Sequence, residues 1–282
     1  MTVGAVVVDY NVGPALVDAV RSLLDEKIGE VIVVENGDAG STASALGALA
    51  EKVTIVRPGE NLGFGAGVNR GVAALSSNVD LVVVANPDSV AHEGCVAKLV
   101  RSIGDHPHWA VVGPTIKTSD GGIYPSVRQF PSPLDAAGHA LLGAIAPENR
   151  FTKRYRFASP KSDGDVDWVS GAFFLVRRSA FEDIGGFDEA YFMFAEDMDF
   201  CWRAHQRGFG VGTAPEAIVS HVEGVARRAH PYAMVVAHHR SAFRFASKSQ
   251  TGFSKLLLPL AAVVLGLRFV AAMAQTAVSR RA

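Results

Sequence analysis

The chain has 282 residues, 49% apolar and 20% charged, which is ample for one large buried core and excludes a disordered chain. A formal net charge of -1 excludes an electrostatic nucleic-acid binder, so an acidic substrate must be gripped locally, by a metal ion or a few cations. The two cysteines, Cys95 and Cys201, exclude a disulfide framework and a cysteine-rich zinc site and fit a reducing cytosol.

Met1 leads directly into an apolar run at 3–8, without a basic segment, a long apolar segment or a cleavage site, so the start reads as a strand and not a signal peptide. Further apolar, β-branched runs follow at 31–34, 53–56 and 81–84. Continuous runs of this kind suit strands buried on both faces of a mostly parallel sheet. Helical segments are predicted between them at 14–24, 42–51 and 66–75, giving βαβ units and a doubly wound α/β sheet. Residues 115–167 are rich in Gly, Pro and Ser, with a helix predicted around 134–145. The stretch 168–176 reads as one further strand, and 197–207 as a helix ended by Gly208.

The tail differs in character. Residues 256–267 and 269–274 are apolar, interrupted by Arg268 and flanked by Lys248, Lys255, Arg280 and Arg281. A clean membrane span needs about 20 apolar residues, and here a proline and an arginine fall inside that length. The mixture predicts a helix lying on an anionic inner leaflet; a core-packed or dimer-forming helix is the alternative. The expected division is a catalytic domain over 1–240 and a helical tail over 241–282.

In open α/β sheets, ligands bind beyond the carboxyl ends of the strands. Polar residues gather there: Asp9-Tyr10-Asn11, Glu35-Asn36-Gly37-Asp38, Glu60-Asn61 and Asn86-Pro87-Asp88. Each alone is ordinary turn chemistry, but four on one edge mark a site for ribose hydroxyls, base N–H groups or a metal. Asp88, held by a stiff proline, is placed to ligate Mg2+ or Mn2+ on a diphosphate. His221, after a later apolar stretch, is either a structural histidine or a second metal ligand. Glu196 and Asp197 offer either an acidic first helical turn or a general base that deprotonates an acceptor hydroxyl. Asp199 and Arg203 have the spacing of an ordinary ion pair. The glycine-rich run from Asn61 to Gly71, which includes Gly65 and Asn69, lacks the dinucleotide register. Its glycines let a helix start approach the sheet or a ligand, and Arg70 is either a phosphate partner or a solvated helix residue.

Taken in order, Val7-Val8-Asp9-Tyr10-Asn11, Val33-Val34-Glu35-Asn36-Gly37, the run 61–71, Asn86-Pro87-Asp88, Ser170-Gly171-Ala172, Gly186-Phe187-Asp188-Glu189, Glu196-Asp197 and His221 resemble the family 2 inverting glycosyltransferases of the Rossmann-like GT-A fold, over about residues 2–224. The run 61–71, Asn86-Pro87-Asp88 and the segment 194–199 resemble its rhamnosyltransferase branch. That resemblance implies dTDP-L-rhamnose as donor and N-acetylglucosaminyl-diphospho-polyprenol as acceptor, in building the linker between arabinogalactan and peptidoglycan at the cytoplasmic face of the inner membrane. It implies Asp88 and His221 as ligands of Mg2+ or Mn2+, Asp197 as base with Glu196 holding it or the acceptor, and Asp9 and Glu35 near the nucleoside. Asn11, Asn36, Asn61, Gly65, Asn69, Arg70 and Asn86 complete the nucleotide-sugar candidates. Arg128, in Arg128-Gln129-Phe130-Pro131, stands with Trp168, Gly171 and Asp199 as a candidate for the acceptor side. The family often has Thr where Asp9 stands, Asp where Glu35 stands, and Asp at the start of the metal motif where Asn86 stands.

Three other readings remain open at this level. A sugar nucleotidyltransferase would need a basic glycine-rich loop after the first strand, which Asp9-Tyr10-Asn11 does not supply. An inactive scaffold would release no nucleotide diphosphate. A transferase using galactose, galactofuranose or N-acetylglucosamine would keep the same metal and base.

Overall fold

The computed structural model describes residues 1–130, 148–155, 162–221 and 230–279, with positions 132, 138, 142 and 146 between them. The helix predicted around 134–145 lies largely outside the described residues. Strand β1 (Val3–Asp9) runs parallel to β2 (Glu30–Glu35) and to β4 (Leu81–Ala85), and β2 runs parallel to β3 (Thr54–Val56). Beyond β4 the sheet continues through β11 (Phe173–Arg177), β6 (Trp109–Thr118), β12 (Gly210–His221) and β5 (Ser89–Ala91). Two short strands, β7 (Ile123–Tyr124) and β9 (Gly164–Asp165), pair with β6 and β12, and a short helix α5 (Arg150–Tyr155) precedes β9. Here the expected parallel pattern becomes mixed: β11 is antiparallel to β4 and β6, β12 is parallel to β6, and β5 is antiparallel to β12.

Helices cover both faces, which is why the strand sequences are apolar at successive positions. On one face, Ala5, Val7, Val31, Val33 and Leu175 pack against α1 (Pro14–Asp25) through Leu16, Val20 and Leu23, and against α4 (Cys95–Asp105) through Leu99 and Ile103. On the other, Val6, Val8, Ile32, Val34 and Phe174 meet α3 (Phe64–Ala74), α6 (Arg178–Ile184) and α7 (Glu196–Gln206). Helix α3 lies unusually close to the sheet. A Cβ on Gly67 would stand 2.9 Å from Val8, and one on Gly71 would stand 2.3 Å from Val6. The glycine run is therefore a packing face of α3.

Two predicted elements are divided. The helix expected over 42–51 is a short α2 (Ser41–Leu46) followed by a 3-10 turn (Gly47–Lys52), because Gly47 takes φ 53° at the junction. The strand expected over 168–176 splits into β10 (Trp168–Val169), paired with β8 (Val127–Arg128) in a separate two-stranded sheet, and β11 in the main sheet. Ser170-Gly171-Ala172 forms the step between them. Its N–H and C=O groups bond outside the ladder: Ser170 donates to Ser126 and the Ala172 carbonyl accepts from Asn86.

At the C-terminus, α8 (Pro231–Ser249) runs unbroken through position 240 and seats Phe245 against Phe130 and Trp202. A 3-10 turn (Gly252–Leu257) leads into α9 (Leu258–Ser279), which meets α8 through the ring contact of Phe269 with His239. Pro259 falls in the first turn of α9, where a proline is tolerated, so the helix continues through Arg268. Lys255–Val278 is long and apolar enough to cross a membrane by length and composition. Its outer stripe is bare, with Leu260 58% and Leu267 64% exposed.

Candidate active site

Because β1 and β2 are parallel with Asp9 beside Glu35, their carboxylates end at the same sheet edge. Both are buried and share one partner. Thr42 donates its hydroxyl to Asp9 at 2.7 Å and its backbone amide to Glu35 at 3.1 Å. Val12 adds an N–H to Asp9, and Arg57 lies 3.4 Å from Glu35. Burial raises the Asp9 carboxyl above its ordinary range; the Thr42 and Val12 bonds act against that rise, while the neighbouring Glu35 charge adds to it. Thr42 and Arg57 were not singled out by the sequence, although Arg57 directly follows β3 and faces an acidic neighbour across the edge.

The asparagines organise the loops above this edge. The Asn36 amide donates to Asn61 and to the Gly63 carbonyl and accepts from Leu62, while Asn11 accepts from Asp38. Asn69, expected on the nucleotide, instead stitches α3 to the 186–189 turn, bonding Phe187 N–H and C=O and Glu189. Arg70 is exposed on α3. The start of that helix, expected to face an anion, is covered by another part of the chain: Phe64 donates its amide to the Phe192 carbonyl at 3.0 Å. Gly63 has φ 83°, and a Cβ there would stand 2.2 Å from that carbonyl oxygen. Gly65 is buried between Phe187 and Glu196.

Asp88 and His221 come together because β5 and β12 pair antiparallel with Ser89 opposite His221. His221 Nε2 lies 3.0 Å from Asp88 Oδ1 and 3.3 Å from Asn86 Nδ2. Both Asp88 and His221 are only 7% exposed, and His221 Nδ1 is buried without a hydrogen-bond partner. Among the described residues no group of three or more His, Cys, Asp or Glu could hold a metal alone. One carboxylate, one imidazole and one amide suit a hard divalent cation that takes its remaining oxygens from a bound diphosphate. The residues present fit such an ion.

The second acidic group begins α7. Asp197 keeps part of its surface open and accepts from Gly171 N–H and Met198 N–H, each at 2.8 Å. Burial raises its carboxyl, and the two amides and the charge of Arg128 partly offset the rise. Glu196 is pushed much further up, first by burial and then by the Asp197 charge, and its Oε2 has no hydrogen-bond partner. A partly open carboxylate beside a carboxyl whose ionisation burial disfavours is suited to accept a proton.

The turn before this pair is strained. Phe194 and Ala195 take φ 69° and 61°, a conformation that costs non-glycine residues of order 1–3 kcal/mol each. Arg128 lies close by, its guanidinium 5.0 Å from the Trp168 ring centre and bonded to the Pro125 carbonyl and the Tyr124 hydroxyl. Asp199, expected on the acceptor side, is corrected by its surroundings. It is 0% exposed, with Arg203 Nε at 2.7 Å and Lys248 Nζ at 2.8 Å, and Tyr191 donates its hydroxyl to it. The ordinary ion-pair spacing is realised there.

One step of chain joins the two groups. The Ala172 carbonyl accepts from Asn86 N–H and Ser89 Oγ on the Asp88 side, while Gly171 donates to Asp197 on the other. The strand arrangement is that of the GT-A glycosyltransferases. The mannosyltransferase PcManGT of Pyrobaculum calidifontis, solved with GDP-Man and Mn2+, superimposes with a TM-score of 0.59 over 98% of this chain and 75% of its own, at 17% identity. The chain belongs to glycosyltransferase like family 2, whose family model matches residues 2–243. It is 36% identical over 260 residues to N-acetylglucosaminyl-diphospho-decaprenol L-rhamnosyltransferase of Mycobacterium tuberculosis, covering 88% of this chain and 85% of the relative. Rhamnosyltransferase WbbL of Escherichia coli is 33% identical over 125 residues, 44% of this chain and 45% of its own.

Proposed function

We propose that this glycosyltransferase moves L-rhamnose from dTDP-L-rhamnose to N-acetylglucosaminyl-diphospho-polyprenol with inversion, a step in building the arabinogalactan–peptidoglycan linker. The observation that carries the mechanism is the Ser170–Ala172 step, which ties a hard-cation pair to a partly open carboxylate. The mycobacterial relative supports the sugar and the acceptor.

Asp88 and His221 hold Mg2+ or Mn2+ in this reading, with Asn86 beside them. The ion, when bound, neutralises charge on the departing diphosphate. The donor lies along the edge formed by Asp9, Asn11, Glu35, Asn36 and Asn61, with its nucleoside at the Asp9–Glu35 end. Asp197 accepts the proton of an acceptor hydroxyl as that oxygen bonds to the anomeric carbon. The bond from that carbon to the diphosphate breaks on the opposite face, and its electron pair leaves with dTDP. Gly171 and Met198 N–H groups orient the Asp197 carboxylate. Burial and the Asp197 charge both push the Glu196 carboxyl up, which disfavours a second negative charge beside the base. Arg128, beside Trp168, attracts the acceptor diphosphate.

In this reading the enzyme works at the cytoplasmic face of the inner membrane, with the apolar tail supporting contact with lipid. Helix α9 lies along the surface and does not cross it, because α8 beside it carries His238, His239, Arg240 and Arg244, which do not belong in hydrocarbon. The assay offers dTDP-rhamnose and several UDP- and GDP-sugars with Mg2+ or Mn2+ and an N-acetylglucosaminyl-diphospho-lipid analogue. Acceptor-dependent dTDP release from dTDP-rhamnose alone is expected. Release from another donor instead would remove the rhamnose assignment.

A further inference from the structure

The strained turn at Phe194 and Ala195 persists only if its surroundings over-determine it. On one side Phe64 N–H fixes the Phe192 carbonyl. On the other side α8 reaches the turn. Ser241, buried, donates its hydroxyl to the Met193 carbonyl at 2.9 Å, and the His238 ring stands edge-on to the Phe194 ring. Seven residues on from Ser241, on the same helix face, Lys248 places Nζ 2.8 Å from both Asp188 and Asp199. Arg244 adds a second cation to Asp188, at 2.8 Å. Asp199 lies in the first turn of α7, two residues beyond Asp197, and bonds back to the Ala195 carbonyl through its N–H.

We propose that α8 is the clamp that aligns the catalytic base, with Ser241 and Lys248 as its positioning residues. Resting on the reading of Asp197 as base, this adds a set of residues that never touch substrate but set where the carboxylate points. Ser241 holds the carbonyl at the entry to the turn. Lys248 holds the first turn of α7 by bridging Asp199 to the 186–189 turn, whose Asp188 it keeps ionised. The pull of Lys248 and Arg244 holds the Asp188 carboxyl far below the ordinary carboxylate range despite the opposing effect of burial. A displacement of the base by about 1 Å is enough to lower turnover on the order of a hundredfold while leaving substrate binding intact.

The test uses the full-length protein with a soluble acceptor analogue, so that membrane binding does not enter. Ser241→Ala and Lys248→Met are each expected to lower kcat about 10- to 100-fold with the KM for the nucleotide sugar within about twofold. Lys248→Arg is expected to regain part of the lost kcat. Asp197→Asn, measured beside them, is expected to lose about 10²- to 10⁴-fold in kcat. A purely structural role for the clamp would lower melting temperature and folded yield but leave the kcat of the folded fraction unchanged. Wild-type kcat in Ser241→Ala and Lys248→Met beside that loss in Asp197→Asn overturns the clamp alone. Full activity in Asp197→Asn overturns the base assignment and the clamp with it. If Lys248→Met does not fold, Ser241→Ala, which removes a single oxygen, carries the test.

Discussion

The amide of Gly171 donates to Oδ2 of Asp197 across 2.8 Å, and a Cβ on that glycine would stand 3.3 Å from the Asp197 Cβ and 3.2 Å from Phe64. An added methyl group there would press on both side chains where the chain steps between sheets. Gly171→Ala is expected to leave a cooperative unfolding transition and to lower kcat at least tenfold by moving the carboxylate. Asp197→Asn keeps the shape and removes the proton acceptor, so its kcat is expected to fall about 10²- to 10⁴-fold. An Asp197→Asn enzyme within threefold of wild type in steady-state transfer would remove the base assignment.

Asp88 and His221 meet at 3.0 Å, so a hard cation bound there would gain one carboxylate and one imidazole. Calorimetric titration with Mn2+ in the presence of dTDP is expected to show binding to the wild-type protein and none to Asp88→Asn. His221→Ala is expected to weaken it. Loss of a Lewis acid contributing several kcal/mol lowers transfer by about a hundredfold or more. Unaltered Mn2+ affinity in both variants would place the ion elsewhere.

The acidic pair sets the pH response. Burial raises the Asp197 carboxyl above its ordinary range, and a base works only when ionised, so with Asp197 in that role kcat is expected to rise with pH and then level. Arg128 favours the ionised form, so Arg128→Gln is expected to move the rising limb to higher pH. Glu196 controls stability in the opposite sense. Its folded-state carboxyl lies well above 4.5, so as pH climbs past 4.5 the unfolded chain releases its proton first, and folding stability falls until the folded carboxyl also ionises. Glu196→Gln is expected to flatten that fall in thermal melts taken from acid to neutral pH. A slope matching the wild type would assign the titration to another group.

Much of the fold is legible because its causes are local. Continuous Val and Ile runs mark strands covered on both faces, and the polar residues that follow them stand at one edge because the first four strands run parallel. The Asp88–His221 meeting is legible in chemistry but not in geometry, since it depends on the antiparallel pairing of β5 with β12 across more than a hundred residues. Residues 168–176 mislead because Ser170-Gly171-Ala172 continues an apolar pattern, while its amides are drawn away by Asp197 and Ser126. Asn69 and Asp199 mislead in another way, since each is polar beside a motif yet committed to a distant partner, Phe187 or Lys248. Nothing in the spacing of Ser241 points to Met193.

Gly63 combines φ 83° with a backbone oxygen where its Cβ would stand. Gly63→Ala is expected to destabilise the protein by about 1–3 kcal/mol from the backbone conformation, with the overlap adding to it. Urea unfolding measures this. A midpoint equal to that of the wild type would mean that the Phe192 carbonyl gives way without cost.

Leu260 and Leu267 lie on the bare stripe of α9. Sedimentation with vesicles containing anionic lipid is expected to retain the wild-type protein. Leu260→Glu and Leu267→Glu are each expected to weaken partitioning about 10-fold or more, from a loss of about 1.5–3 kcal/mol of apolar burial per leucine. Unchanged partitioning in both, with a concentration-dependent rise in mass in solution, would assign the stripe to a second copy of the chain.

The hydrogen bond from Phe64 to the Phe192 carbonyl joins the start of α3 to the turn that leads into Asp197. A donor that shifts the start of α3 moves that turn with it, and an acceptor that moves the turn pulls on the same bond. With donor and acceptor on these two elements, their affinities are expected to be linked, each changing the other by the same factor. Initial-rate lines measured at several fixed concentrations of the second substrate would then intersect away from the concentration axis, the kinetic sign of two substrates that report on each other through the chain before either has reacted.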